Sequence, residues 1–136
     1  MHYTRSGRGK PLLLVHGLGA TSGSWDTIAP ALSQDREVIA IDLPGHGQTP
    51  EEADSGTFDG LARSLDEWLG AENLTGIDMV GSSLGARLVL EMARRGCRAR
   101  PGRLLAGVGA HLLQSHLDAV GGSGSRAATG TFRHHR

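Results

Sequence analysis

The chain has little of three things. It has one cysteine, Cys97, in 136 residues. A single thiol closes no internal disulfide, which excludes a small disulfide-stapled scaffold and fits a reducing cytoplasm. It has no charge excess: 14 Lys and Arg stand against 14 Asp and Glu. That balance gives no electrostatic footprint for nucleic acid and no pull toward anionic membranes. It has no long hydrophobic run, and nothing approaches the roughly 18 apolar residues of a membrane span. The strongest apolar run near the start is Leu12-Leu13-Leu14-Val15, so no signal peptide is visible. The length argues for one domain with a modest core, short for an enzyme built on a large parallel sheet.

What is present is an alternation of short apolar runs and helical stripes. Residues 12–16 form an apolar run bounded by Pro11 and Gly17, the pattern of a buried parallel strand. A glycine-rich loop follows over 17–24. Trp25, Ile28, Ala29 and Leu32 then share one helical face, with Ser24 as the expected N-cap of a helix over 25–32. Residues 38–41 read as a second buried strand, and 42–50 as a loop rich in glycine and proline. Phe58, Leu61, Leu65, Trp68 and Leu69 recur at helical spacing. Residues 77–80 read as a third strand. Leu84, Leu88, Met92 and Ala93 stripe a third helix over 84–95, stopped by Gly96 behind Arg94 and Arg95. Strand, helix, strand, helix, strand, helix is the order of an α/β fold, a parallel sheet with flanking helices joined by right-handed crossovers.

The text changes near Cys97. From Arg98 onward Arg, Gly, Ala, Ser and His dominate and Asp118 is the only acid. Residues 104–108 could form a fourth strand and 111–120 a short helix, but after Gly121 nothing looks able to bury a face. The expected organisation is therefore a folded portion over 1–96 and an atypical, poorly ordered tail over 97–136. A frameshift or truncation would explain the tail, and so would genuine divergence.

The chemistry sits in the glycine turns. Gly81-Ser82-Ser83-Leu84-Gly85 fits G-x-S-x-G. With 21 glycines in the chain the pentapeptide alone is weak, and its context decides. A strand enters, the turn is tight and a helix leaves, as at an elbow that holds a nucleophilic serine at strained angles with its hydroxyl exposed. The helix N-terminus beneath Ser83 offers backbone N–H groups to an oxyanion, that of Leu84 first. The plain alternative is a serine that merely caps the helix. His16-Gly17-Leu18-Gly19 follows the first strand, where the Leu18 N–H can supply a second oxyanion donor. His16 itself reads as structural, a ring that ties down a loop.

Together these stretches resemble the α/β-hydrolase fold family, especially its esterase, lipase and haloperoxidase-like members. The His-Gly-x-Gly turn, the tryptophan after it, the Asp42-Leu43-Pro44-Gly45-His46-Gly47 loop and the serine elbow fall in family order from about Tyr3 to Gly96. Ser82 departs from the larger polar residue, such as histidine, that often precedes the nucleophile. The resemblance implies hydrolysis of a carboxylic ester or related acyl bond in a small-molecule substrate, without a cofactor or metal. Ser83 would attack, a histidine would take its proton and an acid would hold the histidine. In the family those partners lie well downstream. Here only Asp118 with His134 or His135 matches the order, yet Asp118 falls in a stretch that reads as helix and no apolar strand precedes His134. The expectation is an incomplete α/β-hydrolase core, truncated and weakly active or inactive, with an exposed sheet edge that invites self-association.

Two rival readings stay open. Gly17-Leu18-Gly19 after a strand, with Asp42 after the next, mimics a dinucleotide site in which Asp42 would meet a ribose hydroxyl. The strict G-x-G-x-x-G form fails at Ser22. A non-catalytic relic or interaction module is the other. His111 and His116 are five apart, which makes a poor metal pair.

Overall fold

The computed structural model describes residues 1–96 and 104–107. Among these residues five strands form one sheet: β1 (Tyr3–Ser6), β2 (Lys10–Val15), β3 (Arg36–Ile41), β4 (Asp78–Ser82) and β5 (Leu104–Gly107), in the spatial order β1-β3-β2-β4-β5. β2, β3, β4 and β5 pair in parallel, and β1 runs antiparallel to β3 along the edge. Among the described residues three α-helices flank the sheet: α1 (Ala29–Leu32), α2 (Phe58–Ala71) and α3 (Leu84–Arg95).

The continuous apolar runs of the parallel strands come from burial on both faces. Leu13 and Val15 of β2, Ile39 and Ile41 of β3 and Met79 of β4 face one way. They pack with Leu61, Leu65 and Leu69 of α2 and Leu88, Val89 and Met92 of α3. Leu12, Leu14, Val38, Ala40 and Val80 face the other way and pack with Trp25 and Ile28. The topology requires this split. The chain moves from β2 toward β1, then reverses across β2 to reach β4 and continues to β5. A right-handed crossover places the helix on one face for the first direction and on the opposite face for the second. α1 therefore sits alone on its face, and α2 and α3 share theirs.

Three sequence expectations need correction. The helix expected over 25–32 is broken into a 3-10 turn at Ser22–Trp25, capped by Thr21 rather than Ser24, and the four-residue α1. Pro30 is the reason: it has no N–H to give to Asp26, so a helix begun at Trp25 cannot run through it, whereas Pro is welcome in a first turn. Trp25 and Ile28 still bury the expected face. The edge strand β1 was not expected, because only Tyr3 of its four residues is even half-buried. The sheet is accordingly mixed at that edge. The expected exposed sheet edge does not fall at β4, the strand entering Ser83, since β5 pairs with β4 from Met79↔Leu104 to Ser82↔Gly107. The strand expected over 104–108 is thus present as β5. The helix expected over 111–120, and Cys97, lie outside the described residues.

The strand-to-helix elbow depends on two glycines. A Cβ on Gly81 would strike the Gly85 carbonyl, and a Cβ on Gly85 would strike the carbonyl oxygens of Val15 and His16. All of these are backbone atoms that cannot rotate away. Gly85→Ala should therefore cost about 3 kcal/mol, the upper end for an overpacked core. Urea unfolding of the variant beside the parent chain checks this, and an unchanged midpoint would contradict the packing.

Candidate active site

The strand order reverses about β2, which has β3 on one side and β4 on the other. Ligand crevices in open α/β sheets form where the order reverses, outside the carboxyl ends of the strands. Here that position holds the two turns singled out in the sequence. The Val15↔Gly81 pairing brings the residues that follow, His16-Gly17 and Ser82-Ser83, side by side. Gly17 is so close that a Cβ on it would lie 3.3 Å from Ser83 Cβ and 3.9 Å from Ser83 Oγ.

Ser83 has φ 52° and ψ −115°, a backbone region that only glycine adopts without strain. It is exposed. It occupies the N-cap position of α3, yet its side chain makes no capping hydrogen bond. The plain alternative of a capping serine is therefore not what the geometry holds. The first backbone N–H groups of a helix have no partner within it, so Leu84 and the residues after it present donors beside Ser83. Leu18 lies on the facing turn with its side chain 78% exposed.

His16 is fully buried. Its Nε2 accepts the Leu43 N–H at 3.0 Å, and its Nδ1 lies 2.7 Å from the Gly17 carbonyl oxygen. A carbonyl only accepts, so Nδ1 carries the proton and the ring is the neutral tautomer. Burial, the largest influence, holds its pKa below the ordinary histidine value, and His46 pushes the same way against the Gly17 bond and Asp42. With both nitrogens engaged, His16 ties β2 to the loop after β3, as the sequence reading expected.

Asp42 is 2% exposed. Its Oδ1 accepts the Ser22 N–H at 2.7 Å, and its Oδ2 accepts the Gln48 N–H at 3.0 Å and meets His2 Nδ1 at 2.9 Å. Gly47, at φ 53°, leaves the only room for this, since a Cβ there would collide with the carboxylate. Burial alone would raise the Asp42 pKa. The Ser22, Gln48 and His2 bonds outweigh it and bring the carboxyl down to about 2. The dinucleotide reading fails here. Its ribose-binding acid has every oxygen occupied by the protein, and a 3-10 turn stands where its helix N-terminus should be.

His2 and Asp42 form a histidine–carboxylate pair, but not one for Ser83. Strands lie about 4.8 Å apart, and β2 separates the end of β3, where this pair sits, from the end of β4. Asp118, His134 and His135 lie outside the described residues. Sequence reasoning missed the roles of Asp42 and His46 as loop ties. The one available signal was the close Asp42–Gly47 spacing, where a carboxylate is followed by a glycine able to make room for it.

The comparisons agree with this architecture. The family model described as alpha/beta hydrolase fold matches residues 10–111. A 2-hydroxy-6-oxo-2,4-heptadienoate hydrolase of Pseudomonas putida is 39% identical over 128 residues, covering 85% of this chain and 44% of its own length. A pimeloyl-[acyl-carrier protein] methyl ester esterase of Methylococcus capsulatus is 39% identical over 89 residues, covering 65% of this chain and 33% of its own. The crystal structure of an alpha/beta hydrolase fold protein from Burkholderia ambifaria superposes with a TM-score of 0.70 at 25% identity, over 78% of this chain and 40% of that one. The chain thus spans less than half the length of each. No helix among the described residues is long and apolar enough to cross a membrane.

Acid should weaken the fold in two stages. His16, whose folded pKa lies below its unfolded one, contributes stability above the unfolded value of about 6.5 that declines as pH falls below it. Asp42 follows, losing about 2 kcal/mol as pH falls from near 4 through its folded pKa of about 2. Denaturant midpoints across pH 2–7 measure this, and Asp42→Asn should flatten the lower stage while lowering stability at pH 7. With the family model matching residues 10–111 on this architecture, the chain belongs to the α/β-hydrolase fold family.

Proposed function

We propose that the chain carries the nucleophile half of a serine hydrolase acting on carboxylic esters or related acyl bonds. The observation that carries this is Ser83 itself, exposed, held at φ 52° and free of the capping bond a helix-start serine would make. Strain of this kind costs on the order of 1–3 kcal/mol and persists where the surroundings over-determine it. In the proposed step, Ser83 Oγ attacks the carbonyl carbon and its proton passes to a base. The carbonyl oxygen takes the negative charge between the N–H groups of Leu18 and Leu84, and the leaving alcohol departs with a proton. Water then releases the acid from the acyl-serine.

The substrate class draws support from the relatives. They include a methyl ester esterase and an oxo-dienoate hydrolase, and both substrates offer a carbonyl carbon to a nucleophile. The oxo-dienoate is the second reading, favoured by the larger share of this chain that its hydrolase matches. A cytoplasmic setting goes with the proposal, supported by the single cysteine. Self-association through an exposed sheet edge is also part of it, and analytical ultracentrifugation tests that part.

Among the described residues no histidine stands ready as the base. His16 and His46 have both ring nitrogens engaged, and His2 is tied to Asp42 across the sheet. Turnover resting on these residues alone should fall about 10⁴-fold or more below that of a complete triad. Prolonged incubation of the chain with excess fluorophosphonate, which an unassisted serine takes up only slowly, followed by mapping of the adduct by mass spectrometry should find it on Ser83 and nowhere in Ser83→Ala. Hydrolysis of p-nitrophenyl acetate should be slow and should vanish in Ser83→Ala. Loss of that activity in His134→Ala or His135→Ala would instead restore the tail histidines as the base.

A further inference from the structure

The proposed chemistry leaves one well-placed side chain unused. His46 lies in the loop after β3, with its Nε2 3.0 Å from the Gly19 amide nitrogen and its Nδ1 3.0 Å from the Pro44 carbonyl oxygen. Since the Pro44 carbonyl can only accept, Nδ1 carries the proton and Nε2 accepts the Gly19 N–H. The ring also rests on that of His16, with centroids 5.0 Å apart.

The turn it holds is the one facing Ser83. The Ala20 N–H closes the turn on the Gly17 carbonyl at 3.1 Å, with Gly19 at φ 72°. A positive φ at the third position marks a type II turn, whose Gly19 N–H is not used by the turn's own bond. The base of the turn is fixed, because Gly17 lies against the Ser83 side chain. Its tip has no such packing. The Leu18 side chain is 78% exposed, and a Cβ built on Gly19 would meet nothing within 4 Å. The bond to His46 is therefore the tie that fixes the tip, and Leu18 is the residue between the two fixed points.

We propose that His46 is a positioning residue for the oxyanion site. By accepting the Gly19 N–H it sets the placement of the turn beside Ser83, and with it the Leu18 N–H. The inference rests on the reading of Ser83 as the nucleophile. It separates the role of His46 from that of His16: His16 joins β2 to the loop after β3, and His46 aims the turn beyond.

The experiment compares the rate at which a fluorophosphonate labels Ser83 in the parent chain, His46→Phe and His46→Gln, with Ser83→Ala as the background of labelling elsewhere. Phenylalanine keeps a ring against His16 but has no acceptor. Glutamine loses the ring but can place its Oε1 near the former Nε2. His46→Phe should label about 10-fold more slowly, a displacement effect smaller than outright loss of a donor, and His46→Gln should recover to within about 3-fold of the parent. A folded His46→Phe that labels at the parent rate, or a His46→Gln as slow as His46→Phe, overturns the positioning role. A parent chain that labels no faster than Ser83→Ala overturns the reading of Ser83 as a nucleophile active in this chain, which is a different result, and the tie is then decided only by the scalar coupling between the Gly19 amide nitrogen and His46 Nε2 in the labelled parent chain. Should His46→Phe fail to fold, the same coupling decides the tie. Its presence supports the role and its absence refutes it.

Discussion

The site depends on one backbone contact. Gly85, in the first turn of α3, lies against the Val15 and His16 carbonyls at the end of β2, and Gly81 lies against Gly85. The first turn of the helix can come this close only because neither residue has a Cβ. The approach sends the chain from β4 into α3 within a few residues, and Ser83 takes up the resulting backbone angle at φ 52°. The same approach brings Gly17 against Ser83. Strand pairing then fixes the lateral position, since Val15 and Gly81 are register partners.

Around that contact, three side chains serve as acceptors for backbone N–H groups of the loops. Asp42 accepts from Ser22 and Gln48, His16 from Leu43 and His46 from Gly19. The glycine-rich segments at the sheet's carboxyl end have few side chains to pack, so acceptors do what packing does elsewhere. A neutral bond of this kind contributes about 0.5–1.5 kcal/mol and a bond to a carboxylate about 1.5–3. The larger value belongs to Asp42, which holds the segment after Gly19 and the loop after β3 in one place. The far end of the sheet has a separate tie, where Asp78 meets Arg36 at 2.8 Å and Lys10 at 3.4 Å. These two ion pairs join the amino ends of β2, β3 and β4, away from the crevice.

Much of this was legible in the sequence, and the physical reason differs by element. The strands of the parallel sheet are apolar on both faces, so Leu12 to Val15 and Val38 to Ile41 declared themselves. α2 declared itself through Phe58, Leu61, Leu65, Trp68 and Leu69, five residues on one stripe. The elbow was legible because a strand, two glycines and a helix surround Ser83 in order. β1 was not, because an antiparallel edge strand needs only one half-buried side chain, here Tyr3 against Trp68. Pro30 broke a helix whose buried face was otherwise correctly placed. The roles of Asp42 and His46 were hidden because each meets a backbone N–H 20 or more residues earlier. No local pattern reports that. Asp42 even suggested a ribose contact until its oxygens were seen to be occupied.

The central claim is that Ser83 is held in a strained conformation for the sake of its hydroxyl, and not as an ordinary helix cap. Comparing the unfolding free energies of Ser83→Gly and Ser83→Ala tests this most directly. Glycine relieves the positive φ and alanine does not, while both remove the hydroxyl. Ser83→Gly should be more stable than Ser83→Ala by about 1 kcal/mol or more and at least as stable as the parent chain. If Ser83→Gly and Ser83→Ala are equally destabilised relative to the parent, the hydroxyl is a structural cap and the account is wrong.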